Sequence, residues 1–176
     1  MSFIKNIAFI FVIAFFFAGV TSGVNMALSA RIKLNEETRV NKQLLEALGI
    51  PFSDKSSPET IQEIKSKRVK SAMLGNERLF AAITDQGSVD RFAFPVTGKG
   101  LWGSIQGLLA LNKDLTRVEG LIFTSHVETP GLGARIDEQW FRDQFHGIDL
   151  QRKASEDKFL KMGPGSSESV NRVDSI

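Results

Sequence analysis

The chain has 176 residues, 42% of them apolar and 24% charged, with 22 basic against 20 acidic side chains and no cysteine. That length suits one modest domain with an appendage. So even a charge balance gives no clustered basic face for nucleic acid, and without cysteine there is no disulfide, thiol nucleophile or thiolate-held zinc or iron–sulfur centre. With two histidines and no H-E-x-x-H pair, no metal site is expected.

The first element is a run of 25 residues, Asn6 to Ala30, without a charge and rich in Phe, Ile, Val and Ala. About 20 apolar residues cross a bilayer as a helix, so residues 6–30 are read as a membrane anchor. The rival is a cleavable signal peptide, with Lys5 as its basic region, Ile7 to Ala18 as its core and Thr21-Ser22-Gly23 as a weak cleavage site. The uncharged run continues well past a signal core, which favours a retained single-pass anchor. Arg31, Lys33, Arg39 and Lys42 come directly after the span, and a positive-inside count would keep the C-terminal part in the cytoplasm.

Ile32 to Leu48 has Val40, Leu44, Leu45 and Leu48 at helical spacing, with Gly49 and Pro51 as stop signals, and is read as a connecting helix. Ser57-Pro58-Glu59 begins a short helix ending near Ser66: a cap, a proline at the first position and an early acid. Val69 to Leu74 and Arg78 to Asp85 flank Gly75-Asn76-Glu77 as a hairpin. Val89 to Val96 is a further strand. Ser104 to Leu111 and Thr116 to Val127 form a second hairpin around Asn112-Lys113-Asp114. Gly107 and Gly120 mark bulges or close approaches. Asp137 to His146 is read as a helix whose Trp140, Phe141 and Phe145 supply core. Beyond Gln151 the charges alternate, and Gly163 to Ser167 reads as a loop. The fold class expected is α+β: an N-terminal transmembrane helix, then a twisted antiparallel sheet with flanking helices. The divisions expected are 1–30 anchor, 31–57 connecting helix and loop, and 58–176 the sheet domain.

Two segments carry chemistry. Residues His126 to Gly133 read H-V-E-T-P-G-L-G, between a strand and a helix, and Gly98 to Trp102 read G-K-G-L-W. Gly100, Gly131 and Gly133 let the main chain approach a flat ligand, and Pro130 stiffens the turn. Leu101 and Leu132 offer an apolar wall, while Trp102 is either a stacking partner, a loop anchor or core. The Thr129 hydroxyl can donate, and Lys99 is the available cation. Glu128 is expected to tie the loop to backbone amides rather than act as a base. His126, sharing a strand face with Ile122 and Val118, is expected to be a buried histidine bonded to its neighbours. No catalytic residue is assigned, and no nucleophile-and-base constellation is present.

These two segments, in this order behind one anchor, resemble the FMN-binding domain of two membrane subunits: the C subunit of the sodium-translocating NADH:quinone oxidoreductase and the G subunit of the Rnf electron-transport complex. The resemblance implies an FMN cofactor held by Lys99, Gly100, Leu101, Trp102, Glu128, Thr129, Pro130, Gly131, Leu132 and Gly133. It implies partners in a membrane redox complex that translocates ions. It also implies an inner-membrane location with the C-terminal domain on the periplasmic face, against the charge count. In that family the flavin phosphate is joined to a threonine in a [S/T]-G-A-T-x-[S/T] motif. No such motif occurs here; Asn171 to Ile176 resembles the lead-in to it, so the attachment residue is expected just after Ile176. The function expected is electron relay through covalent FMN, as a redox subunit without a complete active site of its own. The alternative is a flavin-free membrane-anchored accessory or assembly protein with the same fold.

Overall fold

The computed structural model describes residues 2–75, 77–151, 161–163 and 172–174. The chain divides into two compact units, Met1–Thr38 and Arg39–Ile176. One helix, α1 (Ser2–Ala47), makes up the first unit and begins the second. Within the first unit its described side chains are exposed from Phe3 to Glu37. The 25 uncharged residues rise about 37 Å as a helix, enough for the ~30 Å hydrocarbon core of a bilayer. This is the one candidate membrane span among the described residues.

In the second unit α1 ends in a tight cap. Gly49, at φ 62°, follows the last turn, and the amides of Gly49 and Ile50 donate to Glu46 and Leu45 carbonyls. Those crossed bonds are a Schellman motif, which satisfies otherwise orphaned carbonyls. The next helix, α2 (Pro58–Arg68), has the anticipated cap, the Ser57 hydroxyl accepting from the Thr60 amide at 3.3 Å.

Five antiparallel strands then pair in sequence order: β1 (Val69–Leu74), β2 (Glu77–Ile83), β3 (Val89–Lys99), β4 (Ser104–Asn112) and β5 (Val118–Ser125). Alternation along β4 builds both faces of the sheet, as a period of two requires. Leu108 and Ala110 join Leu44, Leu45, Leu48 and Ile61 in one core, so the end of α1 and α2 cover that face. Ile105, Leu109 and Leu111 pack on the other core, built from Val118, Ile136, Phe141, Ile148 and Val173. After β5 come a 3-10 helix (Gly133–Asp137) and a short helix, α3 (Gln139–Asp143). Two short strands, β6 (Lys161–Gly163) and β7 (Arg172–Asp174), pair in parallel.

The fold class is as expected from the sequence, with four differences of detail. First, residues 39–57 are not a spacer outside the sheet domain: Leu44, Leu45, Ala47, Leu48 and Ile50 are buried core. A helix that connects and a helix that packs share the same apolar spacing, so the sequence does not separate them. Second, the helix expected over 137–146 is interrupted. Glu138 is extended (φ −66°, ψ 141°), with 3-10 backbone before it and one short helix after it. Third, Val118 and Ile122 face opposite cores because a register shift beside Gly120 leaves Glu119 unmatched in the ladder. A bulge of one residue reverses every side chain beyond it. A second shift at Gln106/Gly107 lies beside Thr124. The shared face read for Val118, Ile122 and His126 therefore does not exist. Fourth, Gly163 lies in β6, while residues 164–167 of the loop reading lie outside the described residues.

Candidate functional site

Because β4 lies between β3 and β5, the β3–β4 turn and the segment leaving β5 emerge at the same end of the sheet. The first motif is that turn. Lys99 pairs with Ser104 at its base, and the Gly100 amide donates to the Gly103 carbonyl at 2.7 Å. The second motif opens with a tight turn of its own. The Leu132 amide donates back to the Thr129 carbonyl at 3.1 Å, with Pro130 second and Gly131 third at φ 76°. Proline followed by a positive-φ glycine is the pattern of a type II turn. The Ala134 amide also donates to Thr129, which leads the chain into the 3-10 helix.

Side chains join the two motifs. The Trp102 amide donates to Glu128 Oε1 at 3.1 Å, and the Trp102 indole N–H donates to Thr129 Oγ1 at 3.0 Å. Glu128 thus ties backbone, as anticipated. Its own amide donates to His126 Nδ1 at 3.2 Å, and His126 Nε2 lies 2.8 Å from Asp137 Oδ2. Nδ1 accepts, so the ring proton sits on Nε2 and is donated to Asp137. His126 has only 13% of its side chain exposed and is bonded to its neighbours. Asp137, its orienting partner, had no signal in the sequence: it sits eleven residues away and is placed by the 3-10 helix.

The joined loops display large apolar side chains to solvent: Leu101 is 81% exposed, Trp102 67%, Leu132 67% and Val127 65%. Trp102 is therefore not core. Val127, at the variable position of its motif, is exposed as well and carried no signal in the sequence. Lys99, Thr129, Pro130 and Gly131 are exposed too, and Lys99 has no partner among the described residues. Large exposed apolar side chains on two joined loops, beside polar groups, make a candidate binding surface.

The three glycines singled out have different causes. Gly131 has open space and a positive φ, so the turn requires it. A methyl group at Gly100 would collide with Glu128 Oε1, and one at Gly133 would lie 2.8 Å from Glu128 Oε2. Within the protein, the close approach at Gly100 and Gly133 is to the Glu128 carboxylate. On the adjoining α3, Phe141 is buried and makes edge contacts with Trp140 and Phe145. Trp140 is only half covered, under the Arg135 guanidinium at 5.3 Å.

Residues 100–176 match the FMN-binding domain family. This part of the chain is similar to an FMN-binding domain. Around this domain the similarity extends to the C subunit of the Na(+)-translocating NADH-quinone reductase. The Pseudomonas aeruginosa subunit is 26% identical over 164 residues, covering 82% of this chain and 62% of that protein. The Chlamydia muridarum subunit is 41% identical over 76 residues, or 42% of this chain and 24% of that one. The chain thus spans less than two thirds of these relatives' length. Two crystal structures share the fold. Shewanella oneidensis NqrC has a TM-score of 0.67 and 19% identity, covering 81% of this chain and 84% of that one. The C subunit of the Parabacteroides distasonis reductase has a TM-score of 0.65 and 22% identity, covering 84% and 83%. The matched region begins in the first motif and contains all of the second, so both clasped loops fall inside or at the edge of it.

Proposed function

We propose that the chain is a membrane-anchored electron-relay flavoprotein whose FMN lies against the joined loops. The observation that carries this reading is the clasp itself: the two motifs meet and present Leu101, Trp102, Val127 and Leu132 to solvent within an FMN-binding domain.

The residues present fit a flavin. Its ring is flat and largely apolar with a polar edge, and the surface offers apolar side chains rimmed by donors. Leu101, Trp102 and Leu132 would hold the ring and exclude water from one side of it. The Thr129 hydroxyl oxygen accepts the Trp102 indole proton, which leaves its own O–H to donate to a ring carbonyl or phosphate oxygen. Lys99 would place a positive charge beside the site and favour an anionic ligand. Glu128 holds the loops and contributes no proton to the ring. Bound FMN supplies one- and two-electron redox chemistry that no side chain here offers.

The relatives are named as subunits of a Na(+)-translocating NADH-quinone reductase. We take this chain to serve such a complex rather than an Rnf-type one, with its partners the other subunits of that assembly. We place α1 across the inner membrane and the sheet domain on the periplasmic side, as the resemblance implies. We further propose that the FMN phosphate is esterified to a threonine, as the resemblance implies. FMN titration of the full chain in detergent micelles, followed by flavin fluorescence, tests the reading. Saturable quenching is expected; an unquenched flavin at protein concentrations well above micromolar supports the accessory-protein alternative.

A further inference from the structure

Among the described residues, the side-chain hydrogen bonds that link the two motifs go to Glu128 and its neighbour Thr129. Glu128 is half-buried between the loops, 26 residues from the Trp102 amide that it accepts. Its backbone is pinned from the other side by His126, which Asp137 orients. The glycine pattern of both motifs follows from the same carboxylate. At Gly133 the three nearest atoms to an added methyl group all belong to Glu128, at 2.8, 3.0 and 3.3 Å. At Gly100 the nearest is Glu128 Oε1, followed by the Gly103 carbonyl and Ile105 Cδ1 at 3.0 Å. Next to it, a methyl group at Gly103 would lie 2.6 Å from Val127 Cγ2. The two motifs are thus complementary surfaces built around a single acid.

We propose that Glu128 is a positioning residue: its carboxylate clasps the β3–β4 turn to the segment after β5 and fixes Trp102 and Thr129 as one preformed flavin platform. This rests on the FMN reading of the site. The Glu128 side chain need not touch the flavin, because Oε1 accepts from the Trp102 amide and Oε2 lies against Gly133. Preorganisation is the gain. Free loops would have to be ordered when ligand binds, and the clasp removes that cost beforehand. A glutamine keeps the accepting oxygen at Oε1, whereas an alanine removes it.

The test uses the full chain in detergent micelles as wild type, E128Q, E128A, G133A and G133A/E128A. Two quantities are read: amide hydrogen exchange at Trp102 without flavin, and affinity for free FMN. A hydrogen bond to a charged acceptor at a partly exposed site sets the scale, so E128A should speed Trp102 exchange by about tenfold. FMN affinity should fall by a similar factor, about tenfold, as the platform loses its order. E128Q should stay within about threefold of wild type in both, the rescue that separates an accepting oxygen from mere bulk. G133A should weaken FMN binding on its own, and E128A added to it should cause little further loss, since both changes break one contact. Unchanged Trp102 exchange in E128A would overturn the clasp. Faster exchange with unchanged FMN affinity would overturn the positioning role. Wild type that fails to bind FMN while E128A still exchanges faster would overturn the flavin reading, and the positioning role with it, but not the contact.

Discussion

Replacing Trp102 with alanine separates the flavin platform from the scaffold beneath it. Trp102 is 67% exposed, and a tryptophan side chain presents up to about 250 Å², so about 165 Å² is open to a ligand. A flat ring covering one face would remove about half of that, roughly 80 Å², from water. At about 25 cal/mol per Å² the loss is ~2 kcal/mol, or about 30-fold in affinity. Folding should hardly notice. An exposed indole leaves no cavity, and its bond to Thr129 joins two exposed groups, worth about 0.5 kcal/mol at the low end for a hydrogen bond. Trp102→Phe keeps a flat aromatic face but loses that bond and the second ring, so FMN affinity should fall less than in Trp102→Ala. The assay is FMN titration by flavin fluorescence, paired with a thermal melt of each variant. Trp102→Ala binding FMN as tightly as wild type would refute the platform; a large fall in melting temperature would show that Trp102 is structural after all.

Other expectations test the scaffold. Leu45 is fully buried against the sheet, so Leu45→Ala should cost about 2–5 kcal/mol in chemical denaturation; a loss under about 1 kcal/mol would return the end of α1 to a spacer. A methyl group at Gly107 would stand 2.8 Å from the Ile122 carbonyl, which is backbone and cannot step aside, so Gly107→Ala should destabilise by about 1–3 kcal/mol in the same assay. The Trp140 indole and then Arg135 donate to Glu138 and hold its carboxyl below the ordinary 4.5. A depressed acid stabilises the fold above its unfolded value and loses that contribution as pH falls through its folded value. Trp140 fluorescence in a Trp102→Phe background should therefore change as pH drops below about 4.5, and Glu138→Gln should abolish that change.

The elements legible in the sequence were those with local causes. The Ser57 cap with Pro58 and Glu59, the Gly49 stop, the β1–β2 hairpin and the Asn112 turn each depend on neighbours a few residues away. Gly107 and Gly120 announced irregular pairing, and the ladder shifts beside both. What the glycines could not reveal was the consequence: each bulge reverses the faces beyond it, which separated Val118 from Ile122. Likewise the apolar spacing of Leu44, Leu45 and Leu48 marked a helix but not its partner. The site was legible as two motifs, and both meet. Their junction was not, since a bond between Glu128 and the Trp102 amide depends on strand order rather than on any local pattern. The contact of Gly100 and Gly133 with Glu128 was not legible either, because a ligand and a carboxylate demand the same thing of a glycine, namely the absence of Cβ.

The central claim, a flavin carried by this membrane-anchored domain, is tested most directly by purifying the protein from its native membrane and recording its absorbance before and after a denaturing gel. The account predicts a flavin spectrum on the native protein and a fluorescent band that stays with the polypeptide through denaturation. A colourless native protein with a dark band would contradict it. Flavin present before the gel and lost on denaturation would keep the carrier and refute the covalent bond alone.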